Sequence, residues 1–118
     1  MKHFHTAVLL LIAVLPASTL AADAEAGLLA IKALGSVNGQ ALACAETKLA
    51  ARAKELMLAH APKTQRFGAA YEEATQEAFL AQTRSTAACP AAISLMDQLN
   101  QLALQLAASL PVAAPEPK

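Results

Sequence analysis

The sequence predicts an all-α protein, a small antiparallel bundle of three to four helices stapled by one disulfide. Strong helix formers, mainly alanine, leucine, glutamate, glutamine and lysine, dominate the chain, whereas the β-branched and aromatic residues that fill strands are sparse. Apolar side chains recur three and four residues apart, which is the spacing of one helix face. The chain has two cysteines, which is the number needed for one disulfide bond.

The amino-terminal residues 1–22 have the layout of a secretory signal peptide. Lys2 gives the start a positive charge, an apolar run from Ala7 to Leu15 follows, and Pro16 precedes a stretch of small residues. The apolar run is shorter than the roughly 20 residues that a membrane-spanning helix needs. We therefore expect cleavage, a periplasmic or secreted mature protein, and no stable membrane insertion after cleavage. An uncleaved amino-terminal anchor is the rival interpretation.

A single helical domain is predicted over residues 23–110, followed by a disordered tail over residues 111–118. The tail contains prolines and few bulky groups, so it cannot bury enough apolar surface to fold. The whole chain holds only three Phe and one Tyr, so the core of the domain must consist mainly of Leu, Ile and Met. A core in so small a domain gains from a covalent link.

The balance of charge argues against one class of partner. The chain has nine Lys and Arg residues against nine Asp and Glu residues. A protein that binds nucleic acid usually displays a basic stripe or patch, and no such stripe is visible in the sequence. We therefore expect no nucleic-acid partner.

Helical spacing divides the domain into four segments. The predicted helices cover residues 23–34, 40–61, 64–84 and 90–110. The stretch GSVNGQ, residues 35–40, carries two glycines and two good capping residues, which indicates a turn or kink between the first two helices. Pro62 ends the second helix. The fourth helix has the clearest apolar stripe, which consists of Ala92, Leu95, Met96, Leu99, Leu102, Ala103, Leu106 and Leu110.

Cys44 and Cys89 are expected to form a structural disulfide. An exported chain enters a compartment where disulfides persist, and an even number of cysteines leaves no thiol over. The alternative is a reactive Cys89, because Pro90 would place it at the start of the fourth helix, where thiolate is favoured, with His60 as its base. We favour the disulfide because the chain has no CxxC motif and no second histidine for a metal site once the signal peptide is removed.

The sequence offers no convincing catalytic, metal or cofactor site. The densest acidic group, Glu72, Glu73 and Glu77, lies opposite the aromatic side of the third helix, so it is expected to face solvent. His60 is the only histidine after the signal peptide, and no GxSxG elbow, phosphate-binding loop or haem-attachment motif occurs. We therefore predict a protein that is not an enzyme and carries no cofactor.

The stretch HAPKTQRFGAAYEEA is the most distinctive part of the chain. His60, Lys63 and Arg66 gather around one turn between helices, and Phe67 and Tyr71 follow one helical turn apart. One interpretation is that the charges are solvated and the rings pack in the core. The other is that these five residues form an interaction corner, because Arg and Tyr are enriched where proteins bind one another.

The layout of the chain resembles that of two groups of exported helical proteins. The stretch GSVNGQALAC, the proline turn HAPKTQRFG, the helix AAYEEATQEAF and the stretch AACP are similar to the pattern of Rap/Tai-type periplasmic immunity proteins over residues 35–90. That resemblance implies a helical protein that neutralises a toxin delivered by a type VI secretion system. The small size and single disulfide also resemble HdeA-like acid-stress chaperones, which implies a periplasmic chaperone.

Three classes of function follow from the sequence. We favour a periplasmic protein that binds another protein without catalysis, for example as an immunity-type inhibitor, through the exposed corner. The first alternative is a stress chaperone of the acid-response type, which exposes its leucine-rich fourth helix in acid. The second is a redox or small-ligand-binding protein that uses Cys89 or the groove between helices. The apolar stripes also leave a homodimer open.

Overall fold

The computed structural model describes residues 18–112, and within them the side chains of residues 23–112. These residues form an all-α antiparallel bundle with no strand, as predicted. The four helices are α1 (Ser18–Ala43), α2 (Thr47–His60), α3 (Gln65–Arg84) and α4 (Ala92–Ser109). No helix in this part of the chain has the length and apolar character needed to cross a membrane. Most of the predicted signal peptide, and tail residues 113–118, lie outside the described residues.

Helix α1 is the centre of the bundle and packs against each of the other three helices. It runs parallel to α3, because Glu25 near the start of α1 pairs with Arg66 at the start of α3. It runs antiparallel to α4, since Gly27 near its start faces the side chain of Leu110, which follows the end of α4. Helices α2 and α4 also pack against each other. The core therefore lies where the four helices meet, and α3 contributes Phe67 and Ala70 to it.

The core consists almost entirely of leucine, isoleucine, valine and alanine, as the scarcity of aromatic residues requires. Phe67 is the one buried phenylalanine among the described residues. The largest fully buried side chains are Ile31, Leu34, Leu95, Leu99 and Leu106. The fold buries four members of the predicted stripe of α4, Leu95, Leu99, Leu102 and Leu106, but leaves Ala92 and Met96 exposed. Removing an apolar side chain from water contributes about 25 cal/mol per Å² to folding, so these residues dominate the stability of the bundle.

The predicted turn at residues 35–40 is wrong, because this stretch is helical and α1 continues through it to Ala43. Gly35 and Gly39 lie where α3 approaches α1 most closely. A Cβ atom built on Gly35 would lie 2.5 Å from the carbonyl oxygen of Tyr71, and one on Gly39 would collide with the carbonyl oxygen of Thr75. These two glycines therefore permit close helix packing rather than a turn.

The predicted second helix over residues 40–61 is also wrong in its first part. The helix break lies at residues 44–46, between Ala43 and Thr47. Ala45 adopts a positive φ of 57°, a left-handed conformation that reverses the chain without glycine. Such a conformation costs energy for alanine, so the local sequence gives no signal for it.

The disulfide between Cys44 and Cys89 is present, with the two Cα atoms 5.8 Å apart. It joins the turn after α1 to the loop between α3 and α4. Helix α4 begins at Ala92, later than the predicted start at Pro90. Cys89 therefore lies in the loop before the helix rather than at its amino terminus, which removes the geometric basis for an activated Cys89 thiol.

Candidate interaction surface

The interaction corner lies at the end of the bundle opposite the disulfide. There α2 ends at His60, the turn 61–64 follows, and α3 begins at Gln65. The chain that leaves α4 reaches the same place, since His60 contacts Leu110. The corner thus combines the α2–α3 turn with the end of α4, two chain segments that are distant in sequence.

Two hollows border the turn, one on each side. The larger one has a volume of about 350 Å³ and lies between the turn and the end of α4. The smaller one has a volume of about 150 Å³ and lies between the turn and the start of α3. Both are lined by Ala61, Pro62 and Lys63. The turn therefore forms a ridge between two hollows, a shape that can interlock with a partner surface.

His60 fixes the base of this ridge. Its Nδ1 atom donates a hydrogen bond to the carbonyl oxygen of Leu110 at 2.8 Å. That carbonyl follows the last turn of α4, where helix carbonyls lack partners within the helix. The side chain is half-buried. His60 therefore ties the end of α2 to the end of α4 and supports the corner from below.

The two cations of the corner are exposed but held in place. The Nζ atom of Lys63 donates a hydrogen bond to the carbonyl oxygen of Leu58 at 3.1 Å, near the carboxyl end of α2. The guanidinium of Arg66 pairs with the carboxylate of Glu25 at 2.7 Å. An exposed ion pair contributes little to stability, at about 0–1 kcal/mol. Both charges therefore stay available to a carboxylate on another molecule.

The two aromatic residues are less exposed than the two cations. Phe67 is only 7% exposed and belongs to the core. Tyr71 is half-buried, and its hydroxyl is buried without a hydrogen-bond partner. Burial raises the pKa of Tyr71 to about 12, because the charged phenolate would lose its hydration. Tyr71 lines a hollow with Leu42 of α1 and Ala50 of α2, away from the turn 61–64, so the structure does not bring it to the corner.

Two features of this surface were missed by sequence reasoning. Leu58 is 58% exposed and lines the smaller hollow, next to Lys63. Gly68 also lines that hollow, and no other atom comes within 4 Å of the position its Cβ would occupy. A leucine off the apolar face of α2 and an isolated glycine inside α3 were the available signals, since both break the pattern of a packed helix.

A second, larger groove lies between α1 and α4. Its volume is about 580 Å³. The lining combines apolar side chains with amides and one carboxylate: Ala33, Val37, Ile93, Ser94, Asp97, Gln98, Gln101, Leu102 and Gln105. It lies along the side of the bundle rather than at the corner, so the two surfaces are separate.

The groups that could support chemistry do not converge. Both cysteine sulfurs are bonded to each other. Glu72, Glu73 and Glu77 are exposed on α3. Among the described residues, no group of three His, Cys, Asp or Glu side chains is placed to hold a metal ion.

The chain matches no family model, no curated protein and no solved structure. Its function must accordingly be argued from its own residues.

Proposed function

We propose that this protein is an exported, non-catalytic binding protein that recognises an acidic surface on another protein through its corner. The observation that carries the proposal is the ridge of the α2–α3 turn, which presents Lys63 and Arg66 between two hollows. Complementary charges steer two proteins together and fix their relative orientation. The exposed Leu58 beside the ridge supplies apolar contact area.

The corner is ordered before any partner arrives. His60 and Lys63 both bond to backbone carbonyls, and the ring of Phe67 at the start of α3 is buried in the core. Ordering a flexible surface on binding costs free energy, so a surface that is already held in place binds more tightly. A carboxylate of the partner would replace Glu25 as the ion-pair partner of Arg66. Binding would therefore exchange an exposed ion pair for an ion pair within the interface.

The location and the inhibitor role belong to the same proposal. The signal-peptide pattern of residues 1–22 and the Cys44–Cys89 disulfide support a periplasmic or secreted protein. A small, pre-ordered protein with a single charged ridge is suited to blocking a site on a specific partner. An immunity-type inhibitor, which neutralises a toxin by binding it, is the form of this function that we favour.

The test is capture of the partner by the tagged mature protein from its own periplasm at neutral pH. We expect one stoichiometric partner, released by high salt because exposed charges are screened. Arg66→Glu should weaken that binding about tenfold or more, since it places like charges together. The matched control is Arg52→Glu, because Arg52 is also an exposed arginine in a single exposed ion pair, with Glu55 at 3.3 Å.

Circular dichroism must show that both variants remain folded. Equal binding by the Arg66→Glu and Arg52→Glu variants would remove the corner from the proposal. Loss of the fold in the Arg66→Glu variant would instead make the Arg66–Glu25 pair structural.

A chaperone is the second candidate, and exposed apolar residues on α4 favour it. Ile93, Met96 and Leu104 are large apolar side chains that remain exposed in the folded chain. Such surfaces can hold partly unfolded clients. This function predicts many weakly bound proteins that are captured only in acid, and no effect of Arg66→Glu on their capture.

A further inference from the structure

Helix α4 has a second face that no other described part of the chain covers. Its buried stripe packs into the core through Leu95, Leu99, Leu102 and Leu106. On the opposite side four exposed residues follow one another at spacings of four, three and four: Ile93, Asp97, Asn100 and Leu104. We call these four residues the α4 seam. Ile93 is 59% exposed and Leu104 is 75% exposed.

The spacing of the α4 seam is that of a helix pairing surface. Residues four, three and four apart form a narrow line along one side of a helix, as the a and d positions do in a coiled coil. With a rise of 1.5 Å per residue, Ile93 and Leu104 are about 16 Å apart along the helix. The two apolar residues are the ends of the line, and the two polar residues are its centre.

From either end of the helix the order of these residues is apolar, polar, polar, apolar, so two antiparallel copies match each other. If two copies of α4 lie antiparallel, Ile93 of one copy faces Leu104 of the other, and Asp97 faces Asn100. The amide of Asn100 can donate a hydrogen bond to the carboxylate of Asp97, and a two-fold axis repeats each pair. Asp97 is the only charged residue in α4, so no like charges lie directly opposite each other in this register.

We propose that the α4 seam binds the α4 seam of a second copy of this chain, antiparallel, to form a two-fold symmetric homodimer. The self-complementary order of apolar and polar residues identifies the second copy as the occupant. The central pair fixes the register, because a shift by one helical turn would place Asp97 against an apolar residue, which costs free energy.

The groove between α1 and α4 lies to one side of the α4 seam. Of the seam residues, Ile93 and Asp97 line this groove, whereas Asn100 and Leu104 do not. The α4 seam therefore faces away from the core, and the second helix would pair with α4 outside the groove.

Sedimentation velocity of the mature, disulfide-bonded protein tests the proposal. A concentration series through the micromolar range should show a monomer–dimer equilibrium. Leu104→Glu should raise the dimer dissociation constant by about tenfold or more, because it puts two carboxylates into the contact. The matched control is Leu29→Glu, the same change at an exposed leucine on α1, which should leave the dissociation constant unchanged.

Exchanging Asp97 and Asn100 tests whether the α4 seam binds a second copy of this chain or another protein. Asn100→Asp should also weaken the dimer about tenfold, since Asp97 would then face a carboxylate. Adding Asp97→Asn should restore the dimer, because each amide again faces a carboxylate. A chain that stays monomeric throughout, or a dimer that Asn100→Asp does not weaken, would overturn the proposal.

Capture of other proteins by the α4 seam of a monomeric chain would overturn it as well, and would favour the chaperone. The α4 seam and the corner are separate surfaces, so Arg66→Glu should not change the dimer dissociation constant.

Discussion

Tyr71 is a residue whose hydroxyl has no hydrogen-bond partner in its buried position. The ring fills space beside Leu42 of α1 and Ala50 of α2, and a buried polar atom without a partner costs about 1–3 kcal/mol. Tyr71→Phe keeps the ring and removes that cost. We therefore expect this variant to raise the free energy of unfolding by about 1 kcal/mol, measured by urea denaturation.

The same residue should make stability depend on pH in alkaline solution. Burial raises the pKa of Tyr71 from 10.0 to about 12 in the folded chain. The unfolded chain therefore loses the phenol proton first, so the free energy of unfolding is unaffected below pH 10 and falls as the pH rises from 10 to about 12. The advantage of Tyr71→Phe over the wild-type protein in unfolding free energy should therefore grow across this range, because phenylalanine does not titrate. A constant difference would contradict it.

The residues of the candidate surface could be identified from the sequence, but their detailed arrangement could not. The spacing of His60, Lys63 and Arg66 around a proline turn was enough to predict that they gather at one corner. The pattern of α3, with glutamates opposite its aromatic side, indicates that Phe67 faces the core. It does not indicate that Leu58 and Gly68 line the smaller hollow, because that depends on how α2 and α3 meet at the turn.

At the scale of the elements, Gly35 and Gly39 decide how closely α3 approaches α1. Gly39→Ala should lower the free energy of unfolding by about 1–3 kcal/mol, because the added methyl group collides with the backbone of α3 at Thr75. Gly68→Ala is the matched control, a glycine inside α3 with open space around it. It should raise the free energy of unfolding by about 0.5–1 kcal/mol, since alanine favours the helix.

Thermal and urea denaturation of the two alanine variants measure this contrast. If both substitutions stabilised the protein, α1 and α3 would not be in close contact, and the predicted turn at residues 35–40 would become reasonable again. The comparison cancels helix propensity, because both positions gain the same methyl group within a helix.

The elements also show why the fold class was predictable while two helix boundaries were not. The apolar stripe of α4 is a repeated local pattern, so its helix could be identified within two residues of each end. A glycine in a sequence can indicate a turn, because its backbone is flexible, or close helix packing, because it has no side chain. For Gly35, only the position of α3 shows that close packing is the reason. The break at Ala45 uses a left-handed backbone conformation, for which an alanine gives no local signal.

For the molecule as a whole, the Cys44–Cys89 disulfide and the corner lie at opposite ends of the bundle. The disulfide links residues 45 positions apart, and closing a loop of this length contributes about 4 kcal/mol in the chain-entropy model. Native domains are stable by only about 5–15 kcal/mol. The bond therefore provides a large share of the stability of this small bundle.

Cys44→Ser and Cys89→Ser should consequently lower the free energy of unfolding by the same amount, about 4 kcal/mol, and the double variant should match either single one. Urea denaturation measures all three, with the reduced wild-type protein as the control. Without prior reduction, neither cysteine of the wild-type protein should react with an alkylating reagent, even though Cys89 is exposed. Unequal losses in the single variants, or alkylation of the unreduced protein, would mean that a free thiol has a role of its own.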